Sequence, residues 1–312
     1  MTPAIRLHAA PRQGRLRPPI YTLAMTIQNT PGARSSAPST PLAPLQLAFV
    51  GGGNMACAVI GGLIAAGHPA ERIQVVEPVA TQADVVREKF GVRVEAAGGA
   101  ALAGAQVVVW AVKPQVFGAA AAPCAPFIGG ALQLSVMAGI RSDAIARATG
   151  SARVVRAMPN TPALIGAGIA GLFARPAVTA ADRAAVETVL APTGESLWVV
   201  QEADLDAVTA LSGSGPAYVF FFIEAMMQAA TDMGLDAAQG RRLALATFHG
   251  ATALARASDE PPATLRERVT SKGGTTAAAL AALESAGVKP AIVAAVRAAQ
   301  ARARELGDEF GG

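Results

Sequence analysis

Cysteine and histidine are scarce in this chain: among 312 residues there are only Cys57 and Cys124, and only His8, His68 and His249. Two cysteines cannot build a thiolate metal cluster and fit a reduced compartment. One histidine lies in the N-terminal stretch and another inside a helical pattern, so neither a zinc site nor a His-based triad is expected. Charge is also thin, at 15% of residues against 52% hydrophobic. That balance excludes a wholly disordered chain, and the length allows two domains with a large core. No acid precedes Glu71, whereas Arg6, Arg12, Arg15, Arg17 and Arg34 all fall before residue 45. The formal net charge of +4 therefore belongs to the N-terminal stretch, because residues 45–312 carry 21 basic and 22 acidic groups. That body shows no basic stripe with interleaved aromatics, so no nucleic-acid partner is expected.

Residues 1–44 are rich in Pro, Arg, Ser and Thr without apolar periodicity, which reads as a disordered extension. The stretch lacks the continuous apolar region of a secretory signal. It is expected to be a non-functional extension or an over-long start, with Met25 as one internal candidate. Uncharged stretches at 45–70 and 114–140 reach membrane-span length, but Gly51-Gly52-Gly53 interrupt the first and Pro123 and Pro126 the second. Each then divides into a strand and a helix, so no membrane span and a cytoplasmic location are expected.

What the chain does contain begins at Leu47-Ala48-Phe49-Val50, a buried-strand pattern running into Gly51-Gly52-Gly53-Asn54-Met55-Ala56 and a helix-like stretch that stops at Gly67. Strand, glycine turn and helix in this order suit a dinucleotide. Gly51 allows the turn, Gly53 admits a pyrophosphate, and Ala56 lets the helix lie close on the strand. The N–H groups of the helix start then face the phosphates. A merely tight strand-to-helix turn would leave the same trace, but the next strand, Ile73–Val76, ends at Glu77, where such folds meet the adenosine ribose.

Further apolar strands follow at Val107–Val112, Leu132–Val136 and Val154–Ala157, with a helix near Gln82–Phe90. Their alternation with helices predicts an α/β, Rossmann-type, doubly wound parallel sheet. From about Glu202 only helices are expected: Glu202–Leu211, Gly215–Met233, Asp236–Ser258, Ala263–Val269, Thr275–Ala286 and Pro290–Leu306. The expected division is a Rossmann domain over 45–201 and an all-α domain over 202–312. Tyr218–Ile223 is apolar all round, so its helix should be buried on nearly every side, by a partner subunit or within the chain.

Three loops carry candidate chemistry. Lys113-Pro114 follows a strand at the sheet edge where open α/β folds bind ligands, although a solvated lysine would look alike. Met158-Pro159-Asn160-Thr161-Pro162 makes a rigid polar loop at another strand end. Ser271-Lys272-Gly273-Gly274-Thr275-Thr276 opens an Ala-rich helix, and glycines there leave backbone N–H groups free to seat a carboxylate, or simply form a capped loop.

Together with Ala111-Val112-Lys113-Pro114, Asp206-Ala207-Val208-Thr209 and Leu211-Ser212-Gly213-Ser214-Gly215-Pro216-Ala217-Tyr218, these segments resemble the pyrroline-5-carboxylate reductases across roughly 45–306. The resemblance implies a Rossmann domain followed by a helical dimerisation domain, a homodimer that can extend to a decamer, and reduction of L-1-pyrroline-5-carboxylate to L-proline with NADPH or NADH. It implies cofactor contacts from Gly51, Gly53, Asn54, Met55, Ala111, Val112, Lys113, Pro114 and Asn160, beside Glu77 at the ribose. It further implies that Gly273, Gly274, Thr275 and Thr276 receive the substrate, with Thr276 or a water it positions as proton donor. An iminium carbon accepts hydride without a strong general base, which suits a body poor in histidine. Two departures stand out: Lys272 where the family has Pro, and Pro261-Pro262 where it has a His-Pro pair. A β-hydroxyacid dehydrogenase shares such a first domain but needs a lysine in the second, and none lies between Lys113 and Lys272. A non-enzymatic dinucleotide-binding regulator would keep the Gly51 turn without the loop at 271–276.

Overall fold

Among the described residues eight strands form one sheet: β1 (Leu47–Val50), β2 (Ile73–Val76), β3 (Arg93–Glu95), β4 (Val107–Trp110), β5 (Leu132–Ser135), β6 (Val154–Met158), β7 (Gly168–Ala174) and β8 (Gly194–Trp198). They come from a computed structural model that describes residues 44–310, so the expectations for the N-terminal extension fall, Pro44 apart, outside the described residues. The spatial order is β3-β2-β1-β4-β5-β6-β7-β8, with β1 paired in parallel to both β2 and β4. The order therefore reverses at β1, and the crevice beyond the carboxyl ends of β1 and β4 is where such sheets bind ligands.

Continuous apolar strands are explained by burial on both faces. Leu47 and Phe49 join Val59, Ile60 and Leu63 of α1 (Asn54–Ala65), Val86 of α2 (Ala80–Phe90) and Val186 of α6 (Ala180–Leu190) in one core. Ala48, Val50 and Trp110 turn to the opposite core, built with α3 (Phe117–Ala121), α4 (Ala125–Ile128) and α5 (Ser142–Thr149). The indole N–H of Trp110 donates to Gln133 Oε1 at 2.9 Å, which satisfies the polar edge of that buried ring.

The sheet departs from a purely parallel one at β7, which runs antiparallel to β6 and carries β8 parallel to itself. The connection from Met158 to Gly168 is too short for a crossover, which takes a dozen or more residues. Neither strand is evident in the sequence. Glycines weaken β7, yet each marks a close approach: a Cβ on Gly171 would lie 2.7 Å from Val208 Cγ1, and one on Gly168 would lie 2.8 Å from Ala163 Cα.

Beyond the sheet the chain is helical: α7 (Asp204–Val208), a π-turn (Thr209–Gly213), α8 (Gly215–Asp232), α9 (Ala237–Arg256), α10 (Pro262–Arg268), α11 (Thr275–Ser285) and α12 (Val288–Phe310). Asp236 starts α9 with a capping box, accepting from Gln239 N–H at 2.8 Å while Gln239 Oε1 accepts from Asp236 N–H at 3.1 Å. Pro261 and Pro262 occupy the N-cap and first position of α10, where a missing N–H costs nothing. Gly240 brings α9 against Ala230 of α8. Among the described residues, α8 is not buried on nearly every side: Phe220 is 59% and Phe221 69% exposed, and Leu243 and Leu254 of α9 are exposed too. Among the described residues no single helix is long and apolar enough to cross a membrane.

Candidate functional site

The glycine turn is wedged between two strand ends. Gly51 has φ +99° and donates its N–H to the Val76 carbonyl at 2.8 Å. A Cβ on it would lie 2.6 Å from the Ala111 carbonyl oxygen, so only glycine fits. The next peptide is held from both ends: Gly52 N–H donates to Glu77 Oε2 at 2.8 Å, and the Gly52 carbonyl accepts from Gln82 Nε2 at 2.5 Å. Gly53 then starts α1 with no side-chain cap, no acid in the first turn, and nothing within 4 Å of where a Cβ would sit. Free N–H groups facing open space make an anion seat.

This turn forms one wall of a groove of about 600 Å³, lined among others by Gly51, Gly53, Glu77, Ala111, Val112 and Lys113. Asn54, Met55, Pro114 and Asn160, the other expected cofactor residues, are not among its lining residues. Asn54 and Met55 form the first turn of α1. Pro114 opens the short turn after Lys113 and lines a neighbouring groove with Ile140, Arg147 and Phe310. Asn160 follows β6, and its Oδ1 accepts from Ile169 N–H at 3.0 Å, tying the β6–β7 connection shut. Sequence reasoning missed Gln82, and it missed the Ala96-Ala97-Gly98 wall that follows β3. Only the polar residue in the first turn of α2 hints at the former; β3 is three residues long and mostly exposed, so its pattern is silent.

The Leu211–Tyr218 segment begins in the π-turn, where Ser214 N–H reaches back to the Thr209 carbonyl at 2.8 Å and the Tyr218 hydroxyl donates to the Ala210 carbonyl at 3.1 Å. A Cβ on Gly213 would lie 2.8 Å from Met158 Cε, so this turn sits directly on the end of β6. Single-turn π-bulges of this kind are frequent at functional sites.

Helix α7 is joined to the sheet through buried charge. Glu202 accepts from Ser142 N–H and Oγ–H, both at 2.6 Å, and from Arg156 Nη1 at 2.8 Å. Arg141 pairs with Asp206 at 3.4 Å and lies over Gly307 of α12, which has no Cβ to displace it. Burial depresses the Arg156 guanidinium from its ordinary value, opposed by Glu202. Burial pushes the Glu202 carboxyl up, but the Ser142 hydrogen bonds and Arg156 outweigh it and hold the group below the usual carboxylate range.

In the loop Ser271–Thr276, Gly273 has φ +73° and Gly274 starts α11 without a side-chain cap. Lys272 and Thr275 are exposed and Thr276 is half-buried. The helix packs on α12, and none of residues 271–276 lines the groove at Gly51. The two candidate seats therefore do not share that cavity within one chain. No group of three His, Cys, Asp or Glu side chains among the described residues is placed to hold a metal ion.

Two families match separate parts of the chain. Residues 46–139 match the family described as NADP oxidoreductase, coenzyme F420-dependent, and residues 202–306 match pyrroline-5-carboxylate reductase dimerisation. The chain is 42% identical over 275 residues to the pyrroline-5-carboxylate reductase of Pseudomonas aeruginosa, covering 88% of this chain and 99% of that one. Against the Escherichia coli enzyme of the same name it is 34% identical over 264 residues, covering 84% and 98%. Among solved structures, a pyrroline-5-carboxylate reductase from Coxiella burnetii superposes with a TM-score of 0.79 at 36% identity, covering 84% of this chain and 98% of that one. The Plasmodium falciparum pyrroline carboxylate reductase, solved with NADP bound, gives 0.75 at 28% identity, with the same coverage.

Proposed function

The chain belongs to the pyrroline-5-carboxylate reductase family and reduces L-1-pyrroline-5-carboxylate to L-proline with NADPH or NADH, and from that premise we propose how its own residues do so. The groove at the ends of β1, β2 and β4 holds the dinucleotide. The observation that carries this is the uncapped start of α1 beside Gly51, where a Cβ has no room and an anion does. Gly53, Asn54 and Met55 hold the pyrophosphate with backbone N–H groups, while Gly51, whose own N–H is given to the Val76 carbonyl, makes the turn that lets it approach; Glu77 faces the ribose, and Ala111, Val112, Lys113, Pro114 and Asn160 border the nicotinamide end.

When bound, the reduced nicotinamide supplies hydride to the carbon of the substrate's C=N bond. The chain's task is positioning and proton supply. The loop at Gly273 and Gly274 receives the substrate carboxylate at the start of α11 through the N–H groups of Gly273 and Thr275, the Gly274 N–H being given to the Ser271 carbonyl at 3.1 Å. The Thr276 hydroxyl, or a water it orients, gives the proton to the ring nitrogen. Lys272 adds a positive charge beside that carboxylate.

The reading includes a homodimer, with room for a decamer, because the exposed apolar faces of α8 and α9 need cover. It brings loop 271–276 to the groove in the assembled dimer, since that loop does not line it in the single chain. A Rossmann domain over 45–201 and a helical domain over 202–312, a cytoplasmic location and the absence of nucleic-acid or membrane partners complete it. NADH and NADPH oxidation by the purified chain, with and without pyrroline-5-carboxylate, is the test. NAD(P)H oxidation that ignores this substrate, or reduction of NAD(P)+ by a 3-hydroxy acid in its place, refutes the assignment.

A further inference from the structure

Glu77 closes β2 and is only 8% exposed, yet it lines the dinucleotide groove. Both of its oxygens are held by the backbone: Oε2 accepts from Gly52 N–H at 2.8 Å and Oε1 from Val79 N–H at 3.0 Å. The carboxylate is therefore fixed toward the phosphate turn and cannot swing into solvent without stranding two N–H donors. Gln82 holds the other end of the Gly52 peptide, so turn and carboxylate form one unit.

Among the described residues, those next to Glu77 on β2 and α2 offer it no counter-charge. From Pro78 to Gln82 there is no cation. Arg87 pairs with Asp84, Lys89 lies over the Phe90 ring, and Arg93 lines a groove at the opposite, amino-terminal edge of the strands. Among the described residues, Lys113 is the one basic residue lining the groove, and it follows β4 rather than β2.

We infer that Glu77 makes this enzyme select NADH over NADPH. The remaining lone pairs of a fixed carboxylate can accept from the ribose 2′- and 3′-hydroxyls. A 2′-phosphate in the same place meets a like charge that two backbone N–H donors hold in position. The inference deepens the proposed function and rests on reading the groove as the dinucleotide site.

The test compares kcat/KM for NADH and NADPH in the full chain, wild type against Glu77→Ser and Glu77→Gln, alongside calorimetric binding of ADP-ribose and 2′-phospho-ADP-ribose. Wild type should favour NADH, and each variant should raise the NADPH-to-NADH ratio by about 10- to 100-fold, the range expected when a like-charge pair a few ångströms apart is removed. A purely structural role for Glu77 would depress both cofactors together and leave the ratio unmoved, which overturns the inference. Equal binding of the two ADP-ribose probes to wild type overturns it as well while leaving the groove assignment intact. Binding of neither probe brings down the groove assignment itself, and the inference with it.

Discussion

Replacing Glu202 with alanine removes three accepted hydrogen bonds at one point, two from Ser142 at 2.6 Å and one from Arg156 at 2.8 Å. Hydrogen bonds to a charged group contribute about 1.5–3 kcal/mol each, but they are not additive here, because they share one carboxylate. The firmer figure comes from Arg156, which is 5% exposed and whose Nε has no partner. Without Glu202 its charge is left buried with only Asp206, itself paired to Arg141, to oppose it, and breaking such a pair costs about 3–5 kcal/mol. Glu202→Ala should therefore lower stability by about 3–5 kcal/mol and Glu202→Gln, which keeps an acceptor oxygen, by less. Urea denaturation reads this at a single fixed protein concentration, since assembly makes stability concentration-dependent.

The pH dependence supplies an independent check. The Glu202 carboxyl lies below its ordinary value of 4.5 in the folded chain. Its stabilisation is thus fully present above that value and is lost as pH falls through the lower folded value. Other depressed carboxylates, Asp143 beside Arg175 and Asp182 beside Arg153, act in the same direction, so only the difference between wild type and Glu202→Gln isolates this group. That difference should be widest near neutrality and shrink in acid. A gap of equal size at both ends of the range would refute the charge argument and leave Glu202 as a packing residue.

Thr276→Ala should lower kcat by about 10²–10⁴-fold with cofactor KM nearly unchanged, the range for a positioned proton donor; unchanged turnover would reduce Thr276 to a helix-start residue. Gly51→Ala should raise cofactor KM by at least about tenfold, because an L side chain at positive φ costs about 1–2 kcal/mol before its contact with Ala111 is counted. Wild-type KM in that variant contradicts the wedge. Introducing Asp at both Phe220 and Phe221 should shift light scattering to monomer and abolish activity; an active monomer removes the dimer from the proposal.

Periodicity and glycine placement made much of this protein legible in its sequence. Strands such as Leu47–Val50 and Val107–Trp110 are buried on both faces, so an unbroken apolar run is the only pattern they can carry. The turn at Gly51 needs a residue without a Cβ, and glycine at that spacing announces it. Helices in the second half also announce themselves, α9 through its Asp236 and Gln239 capping box.

Three features needed the folded chain. β7 and β8 were hidden because the glycines that let β7 pack against Val208 and Ala163 are the residues that erase a strand pattern. The exposure of α8 was not decidable from its composition, since an apolar helix looks the same whether its own chain or another covers it. Gly52, Glu77 and Gln82 span 30 positions, and their hydrogen bonds exist only once β1, β2 and α2 are side by side. Local backbone geometry and burial leave a periodic trace along the chain. Contacts between distant residues leave none, so the sequence by itself determined the turn, the helices and the fully buried parallel strands, and the family, while tertiary structure decided the strands β3, β7 and β8, which polar groups the turn is tied to and which apolar faces remain uncovered.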